Sequence, residues 1–266
     1  MHTQTGIRAD FTQNLDAGRR GALLSVRLAR TWDEVEAAQR LRWRVFAQEM
    51  GARLGASPGV DQDRFDDHCD HLIVVDQGNA RVVGTYRILP PAAAGRLGEV
   101  YADSEFDLSP LGHLRGSMME IGRSCIDPVW RGSSVMAMMW GALYRYAFDR
   151  SIRTMIGCAS VSLADGGAYA ADLALQLERS WVAPELRVRP RSALPVGALA
   201  RGEVVEAPTL IRGYLRAGAR VGGPPAHDPV FNCADFLMLL PIDQMSERFV
   251  RRFAEPLRRR ELPIAA

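Results

Sequence analysis

The chain has 266 residues, 33 basic and 31 acidic side chains and a formal charge of +2, and every basic residue is an arginine. The lack of lysine excludes a lysine Schiff base, a lysine general base and a P-loop lysine. Near-neutral charge argues against a dedicated nucleic-acid binder, whose domain would be strongly basic. The cysteines at 69, 125, 158 and 233 form no C-x-x-C pair and no zinc-ribbon spacing, so a reduced, cytoplasmic protein without a bound metal is expected. The N-terminus shows no apolar core of signal-peptide length, and no apolar run approaches the roughly 18 residues of a membrane span.

Residues 1–21 are polar and aperiodic and are expected to be a flexible lead-in. ALLSVRLAR (22–30) predicts a strand. Thr31 and Glu34 then match a capping box, and apolar residues at 35, 38, 41, 45 and 46 predict a helix ending near Gly51 or Gly55. An acid-rich loop follows, DQDRFDDHCDH (61–71). HLIVVD (71–76) and ARVVGTYRILP (80–90) predict a hairpin turning at Gly78-Asn79. A polar loop with a short element near 99–108 leads to the strand SMMEIGRSCIDP (117–128). The segment 133–150 predicts a helix with a serine N-cap, 154–161 an apolar strand and 168–178 a helix. Beyond these, 208–221 predicts a helix and 231–241 a strand. A basic C-terminal helix or tail over 246–266 carries Arg258, Arg259 and Arg260. The expected architecture is one α/β domain over 22–245, of the α+β kind, with a mixed central sheet flanked by helices.

Glu120 and Arg123 in MMEIGRSC are the first candidate site. Alternation would place them on opposite faces, but a bulge at Gly122 would bring both to one side. There they could hold an ammonium or take its proton; the alternative is a structural ion pair. Asp61 and Asp63 either order their loop or bind a cationic substrate, since the loop lacks the glycine and glutamate of a calcium loop. Arg42 and Arg44 with Phe46, and Arg87 in an otherwise apolar strand, offer guanidinium forks for a carboxylate. WRGSSVM (130–136) enters a helix, so Arg131, Gly132, Ser133 and Ser134 could meet a phosphate on its free N–H groups. No cysteine has a plausible local base.

In order and spacing, LRWRVFAQEM, DQDRFDDHCDHLIVVD, VVGTYRILPP, MEIGRSCIDPVWR and PTLIRGYLRAGARVGGPPAHDPVFNCADFLMLLP resemble the L-ornithine N-alpha-acyltransferases, haemolysin-like proteins of the GNAT superfamily. The resemblance covers about residues 22–255. It implies a GNAT fold and transfer of a 3-hydroxyacyl chain from acyl carrier protein to the α-amine of L-ornithine, giving lyso-ornithine lipid. It implies no cofactor beyond the carrier's phosphopantetheine thioester. Glu120 would be the base and Arg123 or Arg87 its orienter or a carboxylate holder. Arg42, Phe46, Asp61 and Asp63 would lie on the acceptor side, and Arg131 to Ser134 on the donor side.

The N-terminal half is also similar to acyl-homoserine-lactone synthases: Asp61, Asp63, Phe65 and Asp66 match their D-x-D-x-F-D loop, Glu120 and Arg123 their E-x-x-R strand. A synthase of that type, or a long-chain N-acyl amino acid synthase, is the alternative; a non-enzymatic haemolysin is disfavoured. Ser134 and Met136 stand where acetyl-CoA enzymes carry small residues, which suits a carrier-protein donor. Tyr144, Tyr146 or Tyr169 would protonate the leaving thiolate. The basic tail would contact an anionic membrane or the acidic carrier.

Overall fold

The computed structural model describes residues 11–13, 23–54 and 58–254. Most of the expected lead-in and the arginines at 258–260 lie outside the described residues. The strands and helices in chain order are β1 (Phe11–Gln13), β2 (Leu24–Leu28), α1 (Trp32–Trp43), β3 (Asp70–Asp76), β4 (Arg81–Leu89), α2 (Pro91–Leu97), β5 (Phe106–Asp107) and β6 (Met118–Ile126). They continue with α3 (Val135–Asp149), β7 (Thr154–Ser162), α4 (Ala168–Leu177), β8 (Arg189–Pro190), α5 (Val196–Leu199), α6 (Thr209–Ala217), β9 (Arg220–Val221), β10 (Ala226–Asp228), β11 (Cys233–Pro241) and α7 (Glu247–Phe249).

Local chemistry explains most boundaries. Thr31 caps α1 by accepting the Glu34 N–H at 3.3 Å. Glu34 accepts the Arg30 N–H at 2.7 Å and also binds Arg27, so the box closes one residue early. A wider π-helical stretch, Arg44–Glu49, prolongs α1 until Gly51 turns left-handed at φ +76°. Helix α2 falls in the stretch expected as polar loop. Its signals were a proline at N1 and glycine at the C-terminal end, Gly98 at φ +79°. Helix α6 stops at Gly218, φ +110°, four residues short of the 208–221 limit.

Among the described residues the main sheet runs β1-β2-β3-β4-β6-β7-β11-β10, with β9 also on β11. Its pairs are antiparallel except β6 with β7. Period-two alternation builds two layers on it. Leu72 and Val74 of β3 join Val135, Met139 and Leu143 of α3. Ile73 and Val75 join Ala38 and Leu41 of α1 on the opposite face.

Two irregularities shape the centre. Parallel pairing of β6 with β7 covers only Met118 to Glu120 against Thr154 to Ile156, and then the strands part. A Cβ on Gly157 would meet the Ile121 carbonyl oxygen at 2.3 Å, so glycine allows the close approach where they separate. On its other side, β6 spends three steps, Cys125 to Gly122, where β4 spends two, Thr85 to Arg87. The bulge expected at Gly122 is therefore present, but the left-handed residue in it is Arg123, φ +51°.

Gly157→Ala should cost about 1–3 kcal/mol, because a backbone atom and not a flexible side chain must yield. Gly95→Ala in α2, where nothing lies within 4 Å, should instead stabilise by about 0.5–1 kcal/mol. Urea midpoints of the two variants check this contrast.

Candidate active site

A buried ionic network underlies the site. Arg42 leaves α1 fully buried and donates to Asp61 Oδ2 at 2.7 Å and Asp66 Oδ1 at 2.8 Å. Arg87 of β4 donates to Asp63 at 2.6 Å and Asp66 at 3.1 Å. Arg123 of β6 donates to Asp63 at 3.0 Å and lies 3.2 Å from Asp61. Burial alone would raise the Asp66 pKa, but Arg42 and Arg87 outweigh it and hold the carboxyl well below its usual range. Burial opposes the charge on Arg42, yet Asp61 and Asp66 drive its pKa up. The arginine set of a helix and two strands thus closes on one acidic loop, and each charge is met inside the protein.

Glu120 lies beside this network, buried at the point where β6 and β7 part. Its carboxylate accepts the backbone N–H of Tyr101 at 2.6 Å and of Ala102 at 2.7 Å. It therefore caps the 3-10 turn Tyr101–Asp103. Burial pushes its pKa up to about 7, although those two amides and Arg87 pull the other way. The side chain of Arg123 is held over the rings of Tyr101 and Phe231, 4.8 Å from each centroid. That grip explains a non-glycine residue at positive φ.

The parted strands open onto a cavity of about 590 Å³. One end is charged and reaches Glu120, Arg87 and Arg123. The other is apolar and reaches Ile121, Met136 and Leu210. On the charged side Asp228, Cys233 and Asp235 place ligand atoms within 4.8 Å of one another. Burial and neighbouring Asp228 push Asp235 up to about 6. Burial, then Asp228 and Asp235, push Glu105 up to about 7. Burial and Asp235 also raise the Cys233 thiol, so it stays protonated. The donor set that could hold a cation is thus a carboxylate pair. Burial raises the thiols of Cys69, Cys125 and Cys158 too, Cys69 and Cys125 to about 12, so no thiolate nucleophile is available from them.

A GNAT acetyltransferase domain model matches residues 41–141. An L-ornithine N(alpha)-acyltransferase of Rhodobacter capsulatus is 38% identical over 84% of this chain and 92% of its own. One of Brucella abortus is 34% identical over 91% of this chain and 94% of its own. The chain belongs to the L-ornithine N(alpha)-acyltransferase family. The fold agrees: FeeM, an N-acyl amino acid synthase from uncultured soil microbes, superimposes with a TM-score of 0.54 at 13% identity, covering 87% of this chain and 94% of that one. The acyl-homoserine lactone synthase BjaI gives 0.51 at 16% identity, covering 85% and 83%.

In this acyltransferase Glu120, Arg123, Arg87, Phe46 and Arg131 reach the cavity wall. Arg42 does not: it is sealed beneath the acidic loop, and its fork is filled by the protein's own carboxylates. Asp61 and Asp63 are likewise engaged with arginines and order the loop. Arg131 is bidentate on Glu49, with Nη2 at 2.8 Å from Oε2. Gly132 turns the chain at φ +75° into α3. Ser133 donates to the Trp130 carbonyl, and Ser134 Oγ, at the N-cap position, is buried without a partner among the described residues. Gly132, Ser133 and Ser134 stand behind the wall, whereas Arg131 and Met136 are on it.

The tyrosines suggested for thiolate protonation are elsewhere. Tyr144 stacks on Phe148, Tyr146 donates to Asp70 at 2.6 Å and Tyr169 donates to the Glu206 carbonyl at 2.6 Å. The cavity tyrosines are Tyr86, Tyr101 and Tyr214. Asp228 and Asp235 were also missed. Asp235 interrupts an apolar strand in FNCADFLMLLP just as Arg87 does, and the same signal could have found it.

Arg42→Leu should destabilise the enzyme by about 3–5 kcal/mol, since it strands buried carboxylates. Chemical denaturation measures it. A residue that only held substrate would leave the midpoint in place.

Proposed function

We propose that this acyltransferase moves a 3-hydroxyacyl chain from acyl carrier protein to the α-amine of L-ornithine, giving lyso-ornithine lipid. The observation that carries the reading is one cavity joining a buried carboxylate of raised pKa, Glu120, to the carboxylates Asp228 and Asp235 and to an apolar wall. A diamine needs both kinds of acid, one to take a proton and one to hold the distal ammonium. The names of the relatives at 34–38% identity supply the diamine.

The α-ammonium gives a proton to Glu120, directly or through a water. The free amine attacks the thioester carbon, and backbone N–H groups at the 122–124 bulge stabilise the oxyanion by about 3 kcal/mol each. The C–S bond breaks and the amide forms: the nitrogen's second proton goes to the departing thiolate, and the proton first taken by Glu120 is released to solvent. No acyl-enzyme intermediate is needed, in keeping with the protonated thiols. The carrier as donor is supported by Met136, which lines the cavity at the start of α3, where acetyl-CoA enzymes carry a small residue next to the pyrophosphate. The basic C-terminal tail, of which 255–266 lie outside the described residues, is the proposed contact for the carrier or an anionic membrane.

Purified enzyme, carrier-protein and coenzyme A thioesters and a panel of amino acids, with products weighed by mass spectrometry, test the reading. Ornithine with the carrier thioester should be the best pair; a faster reaction with another amine or with coenzyme A sinks it. A base must be deprotonated, so kcat/KM should rise tenfold per pH unit below the Glu120 pKa of about 7 and level off above it. A flat profile between pH 6 and 8 (roughly the window around that pKa) removes Glu120 as base. The profile is a better probe than Glu120→Gln, whose amide NH₂ would face a backbone donor and loosen the 101–103 turn. Asp235→Asn should raise the ornithine KM about tenfold, the size of a lost charged hydrogen bond, while acceptors without a second amine change less.

A further inference from the structure

The hydroxyls of Tyr86 and Tyr214 stand 3.1 Å apart, and the Trp140 indole Nε1 donates to the Tyr86 oxygen at 3.3 Å. An indole N–H only donates, whereas a phenol both donates and accepts. The indole hydrogen goes to Tyr86, and one phenol hydrogen lies between the two oxygens. The other phenol hydrogen has no acceptor among the described residues. Donation from Trp140 polarises the Tyr86 hydroxyl to donate onward, so the hydrogen left over belongs to Tyr214. The Tyr214 ring is fixed by stacking on Trp140, with centroids 5.5 Å apart and planes 27° apart. Gly213 makes room for this, since a Cβ there would lie 2.0 Å from the indole.

Both phenols line the cavity, in its apolar part. Behind Tyr214 and Ile121 is a second, smaller hollow whose walls include Leu143, Met155, Leu240 and Phe249. Ile121 follows Glu120 on β6 and points to the opposite face. On the proposed function, the reacting carbonyl lies beside Glu120 and the acyl chain runs toward this hollow. It must then pass the Tyr214 hydroxyl.

We infer that Tyr214, set by Tyr86 and Trp140, determines acyl specificity: its spare hydroxyl hydrogen meets an oxygen carried on the acyl chain itself and selects hydroxylated over plain chains. A plain chain would cover that donor without satisfying it, which is where the discrimination arises. The inference rests on the proposed reaction and adds to it the residues that read the chain.

The test uses two carrier-protein thioesters matched in chain length, one with a hydroxyl on its third carbon, and ornithine as acceptor. The readout is the ratio of their kcat/KM values. Native enzyme should prefer the hydroxylated donor, and Tyr214→Phe, which keeps the stacked ring, should lower the ratio about tenfold. Should Tyr86 turn its own hydrogen into the cavity in that variant, the Tyr86→Phe/Tyr214→Phe pair shows the fall instead, and this also supports the inference. No preference in the native enzyme, or an unchanged ratio in both variants, overturns it; an equal loss with both donors would assign the hydroxyl to the thioester group. Failure of native enzyme to acylate ornithine from either donor overturns the proposed function, and this inference with it.

Discussion

The charged end of the cavity depends on the convergence of Arg42, Arg87 and Arg123 on Asp61, Asp63 and Asp66. The network ties α1, β4, β6 and the acidic loop to a common point. Its charges are mutually satisfied and largely buried, so exchanging either sign leaves its partners exposed to the full cost of desolvation. Arginine is well suited to such a junction. It stays charged under the burial that pushes Glu120 and Asp235 toward neutrality, and its planar fork reaches more than one carboxylate. The all-arginine composition thus has a structural use at this point, besides the anion binding that the sequence suggested.

The architecture was largely legible because it follows from short-range signals. The capping threonine at 31, the β3–β4 hairpin and the period-two run of β3 each mark an element by local chemistry. The bulge was also legible in place, from the glycine of EIGR, though the residue that takes the unusual backbone was not. Arg123 adopts positive φ because Asp63, Tyr101 and Phe231 grip its side chain, and those partners come from distant segments.

The same distance hid half of the site. Asp61, Asp63 and Arg42 looked like ligand-binding groups because carboxylates and guanidiniums do bind ligands, and a sequence does not say that they will find each other. Glu120 stood out by type and position, but its second role as the cap of the 101–103 turn comes from a contact 18 and 19 residues away. Asp228 and Asp235 sit in the last strands, where β10 and β11 fold back against β7. Tyr86 and Tyr214 are 128 residues apart. The cavity has two chemical ends as a result: one where Glu120, Asp228 and Asp235 lie beside Arg87 and Arg123, the other apolar and carrying the Tyr86–Tyr214 hydroxyl pair.

The short register between β6 and β7 has a consequence of its own. Three residue pairs join the strands, and beyond Glu120 and Ile156 no ladder continues among the described residues. Two edges therefore face each other across the middle of a sheet, where most proteins would have closed them. Such edges seek amide partners as strongly as outer edges do. An extended occupant carrying amide groups would act as a temporary strand, stitching the halves of the sheet together and leaving again with its cargo spent. A proposed donor seated between these edges would slow backbone exchange along both of them.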